Sequence, residues 1–374
     1  MQRDLGSFPF PPHLKRKLST SGFRIVEDLS DVKPTELSKE LSISVEEALE
    51  IISTVKKSEP RSTLQRGQVR GAVSALELLK KETSSPGIVT FCEEIDDMLG
   101  GGVPLAKITE LCGSPGVGKT QLSIQLAVDV QIPEAFGGLA GEAVFIDTEG
   151  SFIPERAADI ASATHQHCKH VAELQGIEDQ ISAVEDFTPE KILSGIHYFR
   201  CHNYTELIAL VNLLPNFLED HEKVKLVIID SIAFHFRHDL DDMSLRTRLL
   251  NGLAQSLIKM AVAHQLAVVL TNQMTTKVNV GQSGISHLSP ALGESWGHAA
   301  TIRIILFWKD NQRYALLYKS PSKKETTVSY QITKGGIRSV DHQQTVMDTM
   351  KGTADESDSM NPRKRLKPDD PDNG

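Results

Sequence analysis

From Ile88 onward, short apolar runs alternate with amphipathic stretches, the pattern of parallel strands covered by helices on both faces. Strands are expected at Ile108–Cys112, Ala143–Thr148, His197–Arg200, Val224–Asp230, Ala267–Asn272, Thr301–Trp308, Arg313–Lys319 and Thr327–Ile332. The last three follow one another without a helix, which predicts an antiparallel or mixed edge. Gln121–Val130 places Leu122, Leu126 and Val130 at i, i+4 and i+8, one face of a helix. Ahead of this region, residues 11–57 set Leu14, Leu18, Phe23, Ile25, Leu29, Leu37, Leu41, Ile43, Ala48, Leu49 and Ile52 among charged residues, as in a small helical unit. Gly22 breaks its first helix, Pro34 suits the first turn of another, and Ser44 with Glu47 reads as a capping box.

Residues 58–71 have no apolar period and many breakers, so they read as a linker, with a short amphipathic helix following at Ala72–Lys81. After residue 340 apolar positions thin out, and Gln343–Gly374 is expected to be disordered. The expected organisation is a small all-α domain at 1–57, a linker and helix at 58–84, an α/β core at 85–340 and a tail at 341–374. Lys17 to Leu29 resembles the helix-hairpin-helix units of DNA-associated domains; a bundle used for protein contacts is the alternative reading.

Composition narrows the function. No window approaches 18 apolar residues, so no membrane span is expected, and Met1–Phe10 lacks the apolar stretch of a secretory leader. The four cysteines, Cys92, Cys112, Cys168 and Cys201, form no C-x-x-C pair and read as reduced core residues. A formal net charge of −9 argues against indiscriminate coating of nucleic acid, so DNA binding has to be local.

Gly113-Ser114-Pro115-Gly116-Val117-Gly118-Lys119-Thr120 fits Gly-x-x-x-x-Gly-Lys-Ser/Thr at every fixed position, between an expected strand and an expected helix. In such a P-loop the glycines let backbone N–H groups curl around phosphates, the lysine meets the outer phosphates, and the hydroxyl binds Mg²⁺. Three strand ends supply further chemistry, because ligands of open α/β sheets gather there. Asp230 closes the apolar run Leu226–Ile229 and suits an aspartate that holds Mg²⁺. Glu149 lies just past a strand, where it could polarise the water attacking a γ-phosphate, with Asp147 a structural or metal-shell partner. Gln273 follows Thr271-Asn272 and reads either as a γ-phosphate sensor coupled to the next segment or as a structural amide.

Together, Gly113–Thr120, Phe145–Phe152 with Pro154-Glu155-Arg156, Leu226–Asp230 and Thr271-Asn272-Gln273 resemble the RecA-type recombinase core, from about residue 85 to 335. The small helical domain in front is similar to that of the family's eukaryotic and archaeal branch. Gln131-Ile132-Pro133 with Gly137-Gly138, Phe236–Asp242 and Gly293–His298 resemble one eukaryotic paralogue within it. The resemblance implies a RecA-like P-loop ATPase acting in homologous recombination on single-stranded or branched DNA, in complexes with sister paralogues that support the main strand-exchange recombinase. It implies phosphate contacts from Gly113 to Lys119, Mg²⁺ at Thr120 and Asp230, and catalysis by Glu149, Lys119 and Gln273.

The resemblance also implies two mobile loops that face DNA. One follows Asp230 and carries Arg237, His238, Arg246 and Arg248 among three aspartates, Asp239, Asp241 and Asp242; the other, Met274–Pro290, has only Lys277 as a firm cation and no aromatic to stack bases. Lys319 stands before Ser320-Pro321, where filament-forming members place an acidic residue over a neighbour's ATP. Lysine reverses that charge, though it could still reach phosphate, and the pattern points to an accessory subunit. An apolar anchor on the linker is implied too, with Leu64 and Val69–Val73 as candidates. The run Arg363-Lys364-Arg365 with Lys367 is compatible with nuclear import, some of the protein remaining in the cytoplasm. A scaffold that holds ATP only structurally, or a helicase-type or clock-type RecA-like ATPase, are the other readings of the same motifs.

Overall fold

The computed structural model describes residues 5, 8, 10–29, 32–49, 51, 73–84, 86–240, 242–278 and 286–340. The chain divides into two compact units, Met1–Leu78 and Leu79–Gly374.

The first unit holds α1 (Pro12–Thr20), a 3₁₀ turn at Val26–Leu29, α2 (Pro34–Leu41) and α3 (residues 45–49). Gly22, at φ +93°, ends α1 in the left-handed region that a side chain disfavours, and the Phe23 N–H returns to the Leu18 carbonyl. Ser44 and Glu47 cap α3 reciprocally: the Glu47 N–H donates to Ser44 Oγ at 3.1 Å and the Ser44 N–H to Glu47 Oε2 at 2.9 Å. Leu14, Leu18, Leu29, Leu37, Leu41 and Ile51 converge into one buried cluster. The helix α4 (Ala75–Ser84) opens on a second capping box, Ser74 with Glu77, so it begins three residues later than the apolar pattern suggests. Val73, Leu76, Leu78 and Leu79 are exposed along it, and the division between the units falls inside this helix.

The second unit is an α/β layer structure. Its helices are α5 (Glu93–Leu99), α6 (Lys119–Asp129), α7 (Pro154–Gln175), α8 (Glu178–Asp186), α9 (Pro189–Ser194), α10 (Tyr204–Asp220), α11 (Ala233–His238), α12 (Met243–His264) and α13 (Gly293–Gly297). The strands are β1 (Ile108–Gly113), β2 (Glu142–Asp147), β3 (Ile196–Arg200), β4 (Val224–Asp230), β5 (Ala267–Asn272), β6 (Met274–Val278), β7 (Ser286–Pro290), β8 (Ile302–Lys309), β9 (Gln312–Lys319), β10 (Thr327–Thr333) and β11 (Gly336–Arg338). Nine of them form one sheet in the order β11-β10-β9-β8-β1-β5-β4-β2-β3. From β3 to β8 the pairs are parallel, and β8 through β11 are antiparallel, the mixed edge expected from three successive strands.

Alternation along the central strands splits the core in two. Leu226 and Ile228 of β4 join a cluster under α5 to α9, whereas Val227 and Ile229 join one under α10 to α13. Burial on both faces is why these strands read as unbroken apolar runs. No helix among the described residues is long and apolar enough to cross a membrane.

Two expectations change. The segment after Asp230, expected as a mobile loop bearing Arg237, Arg246 and Arg248, is largely helical: Arg237 lies in α11, and Arg246 and Arg248 lie in α12. Asp242, one of the aspartates read as loop charge, is the N-cap of α12, its Oδ1 accepting the N–H groups of Ser244 at 2.8 Å and Leu245 at 3.1 Å. Met274–Pro290, expected as one flexible loop, contains the antiparallel pair β6 and β7, in which Thr275 stands opposite Ser289. The β-branched Thr275, Thr276 and Val278 favour that extended backbone; Gly281 and Gly284 lie outside the described residues.

Candidate nucleotide-binding site

β1 delivers the chain into the P-loop and α6 carries it away. A Cβ on Gly113 would stand 2.7 Å from the Leu306 carbonyl oxygen, and one on Gly118, at φ +116°, would meet Ile332 Cδ1 at 2.6 Å. Side chains are thus excluded at both ends of the loop, which leaves its N–H groups open to phosphate. Tyr330 Oη donates to the Val117 carbonyl at 2.8 Å and fixes the middle of the loop to β10.

Lys119 Nζ folds back over the loop, donating to the carbonyls of Gly113 at 2.9 Å and Ser114 at 3.1 Å. Burial holds its ammonium below the usual lysine range, and the carboxylates of Asp230 and Glu149 oppose that shift. Phosphate oxygens would compete for Nζ with better-charged acceptors than carbonyls.

Asp230 is 2% exposed and is surrounded by hydroxyls. Thr120 Oγ1 donates to its Oδ2 at 2.6 Å, Ser151 Oγ to the same oxygen at 3.3 Å, and Thr271 Oγ1 to Oδ1. Among the described residues no ion pair reaches it. Burial raises its carboxyl above the ordinary aspartate value, while the Thr120 and Thr271 hydroxyls oppose the rise. A buried carboxylate with no ion pair among the described residues, hydrogen-bonded to the P-loop threonine, is an all-oxygen donor set that fits Mg²⁺.

Asp147 organises the neighbouring turn. Its Oδ1 accepts the N–H groups of Glu149 at 3.0 Å, Gly150 at 2.6 Å and Ser151 at 3.3 Å, and its Oδ2 that of Phe152 at 3.1 Å. Both of its oxygens are thus engaged by the turn, which favours the structural reading of it over the metal-shell one. The turn presents Glu149, whose Oε1 accepts from Ser231 Oγ at 2.5 Å and from Gln273 Nε2 at 3.0 Å. Gln273 Oε1 in turn accepts from Arg237 Nη1 at 2.8 Å. A continuous line of hydrogen bonds thus runs from Ser231 through Glu149 and Gln273 to Arg237.

Lys119, Thr120, Glu149, Asp230 and Gln273 share one site, and Arg237 joins it through Gln273. Arg248 is exposed on α12, Arg246 is half-buried there with a buried Nε that lacks a partner among the described residues, and Lys277 belongs to β6. Arg363, Lys364, Arg365 and Lys367 lie outside the described residues, as do Leu64 and Val69 to Ala72. Lys319 Nζ donates to the carbonyls of Gly297 at 3.0 Å and Ala300 at 2.6 Å, and burial, then Arg303, lower its pKa. Sequence reasoning missed Ser231 and Thr271; the signal was a hydroxyl residue next to, or opposite, each strand-end acid. All four cysteines are free and buried.

Fold and site together define a RecA-type nucleotide-binding core. The Rad51 family model matches residues 85–176 and 175–340, and the chain belongs to the Rad51 family. It is 58% identical over 344 residues, 90% of this chain and 92% of the relative, to the DNA repair protein RAD51 homolog 3 of Cricetulus griseus. Identity to the protein of the same name in Dictyostelium discoideum is 46% over 269 residues, 72% of this chain and 70% of the relative. The DNA repair and recombination protein RadA of Metallosphaera sedula is 32% identical over 328 residues, 86% of this chain and 91% of the relative. The likeness to one eukaryotic paralogue thus holds along most of the chain, and at the level of the family the activity is that of a DNA-dependent ATPase that uses ATP with Mg²⁺.

Proposed function

We propose that this chain is an ATP-binding, slowly hydrolysing DNA repair subunit that acts in homologous recombination of double-strand breaks. It binds single-stranded or branched DNA, assembles with sister recombinase paralogues and supports the main strand-exchange recombinase, in the nucleus. The observation that carries the reading is the line Ser231–Glu149–Gln273–Arg237, which joins a water-activating carboxylate to a cation outside the phosphate site.

In this reading the P-loop N–H groups and Lys119 hold the β- and γ-phosphates, with Thr120 and Asp230 as the protein ligands of Mg²⁺. Bound there, the ion neutralises charge on the transferred phosphoryl group. Glu149 orients and deprotonates the attacking water. Gln273 shares Glu149 Oε1, so a ligand that draws Glu149 toward water loosens the hold on Arg237, and a DNA phosphate at Arg237 acts back on Glu149 by linkage. Few cations flank this line, which fits a subunit that binds DNA weakly by itself. The exposed Leu76 and Leu78 of α4, with Val73 just ahead of it, supply apolar surface for a partner subunit. Lys319, spent on Gly297 and Ala300, offers no acidic cap to a neighbour's ATP, which favours an accessory subunit over a self-sufficient filament.

Two substitutions test this. Glu149→Gln should lower ATP turnover by about 10²- to 10⁴-fold while nucleotide still binds. Lys119→Ala should weaken ATP binding by about 10- to 100-fold. Each would be measured in the complex purified with its natural partners and by repair of breaks in cells lacking the protein. Full repair by both variants would instead support a scaffold that holds ATP only as structure.

A further inference from the structure

In the parallel register of the sheet, Asp147 at the end of β2 stands opposite Asp230 on one side and opposite Arg200, the last residue of β3, on the other. Like charges on neighbouring strands repel, and Glu149 brings a third acid to the same edge. The Asp230 carboxyl, raised first by burial, is raised further by the charges of Glu149 and Asp147. Lys119 faces Asp230 and Glu149 from the P-loop. Arg200 faces the row from its other end: Nη1 lies 3.7 Å from Asp147 Oδ1, the one ion pair that reaches Asp147 among the described residues.

This guanidinium grips both the main chain and the side chain of Asp147. Nη1 also donates to the Asp147 carbonyl at 2.8 Å and to the Cys201 carbonyl at 3.2 Å. It lies against the turn that presents Glu149: a Cβ on Gly150, at φ +77°, would stand 3.3 Å from Arg200 Nη2 and 3.6 Å from Cζ. Glycine there serves twice, by taking the left-handed backbone and by letting the turn rest on the guanidinium. Two residues back on β3, Tyr198 Oη donates to Asp147 Oδ2 at 3.2 Å, and its ring packs on Phe152 with centroids 5.3 Å apart.

The Asp147 oxygen nearest Arg200 is the one that gathers the N–H groups of Glu149, Gly150 and Ser151. Its side chain is wholly buried, whereas that of Arg200 is 30% exposed. A buried carboxylate stripped of its cation is strongly disfavoured, and the turn can relieve it by opening toward water. Opening the turn carries Glu149 with it, and a displacement of about 1 Å in a catalytic geometry can cost about 10²-fold in rate.

We propose that Arg200 is a positioning residue for ATP hydrolysis: paired with Asp147, it holds the turn that aims Glu149 at the attacking water. The inference rests on the catalytic role proposed for Glu149, and it makes β3, the last strand of the sheet, part of the hydrolytic machinery.

The test is a double-mutant cycle between Arg200→Ala and Glu149→Gln in the complex purified with its natural partners, following phosphate release and, separately, ATP binding. Arg200→Ala is expected to lower kcat by about 10- to 100-fold, with KM and ATP affinity within about twofold of the natural complex. In the Glu149→Gln background it should lower turnover no further, because the group it positions is gone. A natural kcat in Arg200→Ala, a loss of ATP affinity as large as the loss of kcat, or an equal further loss on top of Glu149→Gln would each overturn the proposal. Should Arg200→Ala not fold, Arg200→Gln, which keeps a donor for the two carbonyls but not the charge, decides by the same criteria. Undiminished turnover in Glu149→Gln alone would overturn the catalytic reading of Glu149, and the proposal with it. A silent Arg200→Ala beside an inactive Glu149→Gln would overturn only the positioning role.

Discussion

Glu110 on β1 and Asp230 on β4 are both buried carboxylates in the same sheet, but their surroundings are opposite. Glu110 is closed on every side: Arg303 Nε donates at 2.6 Å, Asn272 Nδ2 at 2.7 Å and Trp296 Nε1 at 2.8 Å. Asp230 has the hydroxyls of Thr120, Ser151 and Thr271 and, among the described residues, no ion pair. One acid has its charge matched within the chain and locks elements together, since Asn272 also donates to the Ala291 carbonyl just beyond β7. The other keeps an unmatched charge beside the P-loop, and such a group serves a ligand rather than the fold.

The largest test of this contrast is Glu110→Ala, which leaves the Arg303 guanidinium buried without its partner. It should cost about 3–5 kcal/mol of stability, measured by urea unfolding. Asp230→Asn should act with the reverse sign. Removing a buried, unpaired charge should raise the melting temperature by about 2–4 °C for each kcal/mol gained, while Mg²⁺-dependent ATP binding falls. Equal destabilisation by both changes would remove the distinction between a structural and a ligand-serving acid.

A third acid sharpens the comparison by titration. Burial pushes the Asp96 carboxyl up to about 6, against hydrogen bonds from the Thr90 hydroxyl and N–H. The unfolded chain gives up this proton near 3.8, so between 3.8 and about 6 it binds fewer protons than the folded chain. Stability from this group is therefore present at low pH and falls as pH rises through that window. Asp96→Asn should flatten that part of the stability curve, a smaller effect seen in melting temperatures taken from pH 4 to 7. An unchanged slope would show that Asp96 is not the group responsible.

How much of the site could be read beforehand follows from the range of each interaction. The P-loop was legible because its eight residues act on one another within two turns of chain. Asp230, Glu149 and Gln273 were legible because apolar runs mark where strands end, and the sheet brings parallel strand ends to one edge. Asp242 was misread as loop charge because a helix cap and a turn use the same residue type. The partners of Lys319, Gly297 and Ala300, were not legible because they lie about twenty positions away in sequence and reach it only through the β8–β9 pairing. β11 was missed because three residues cannot show a period.

By itself, then, the sequence determined the alternating core, its mixed edge and the phosphate-binding loop, since periodicity and glycine placement are local constraints that any fold of this chain must satisfy. Only the tertiary structure decided that Ser231 and Gln273 meet on Glu149, and that Glu110 is sealed while Asp230 has no ion pair among the described residues. Those are contacts between segments distant along the chain, and their geometry is fixed by how helices pack on the sheet.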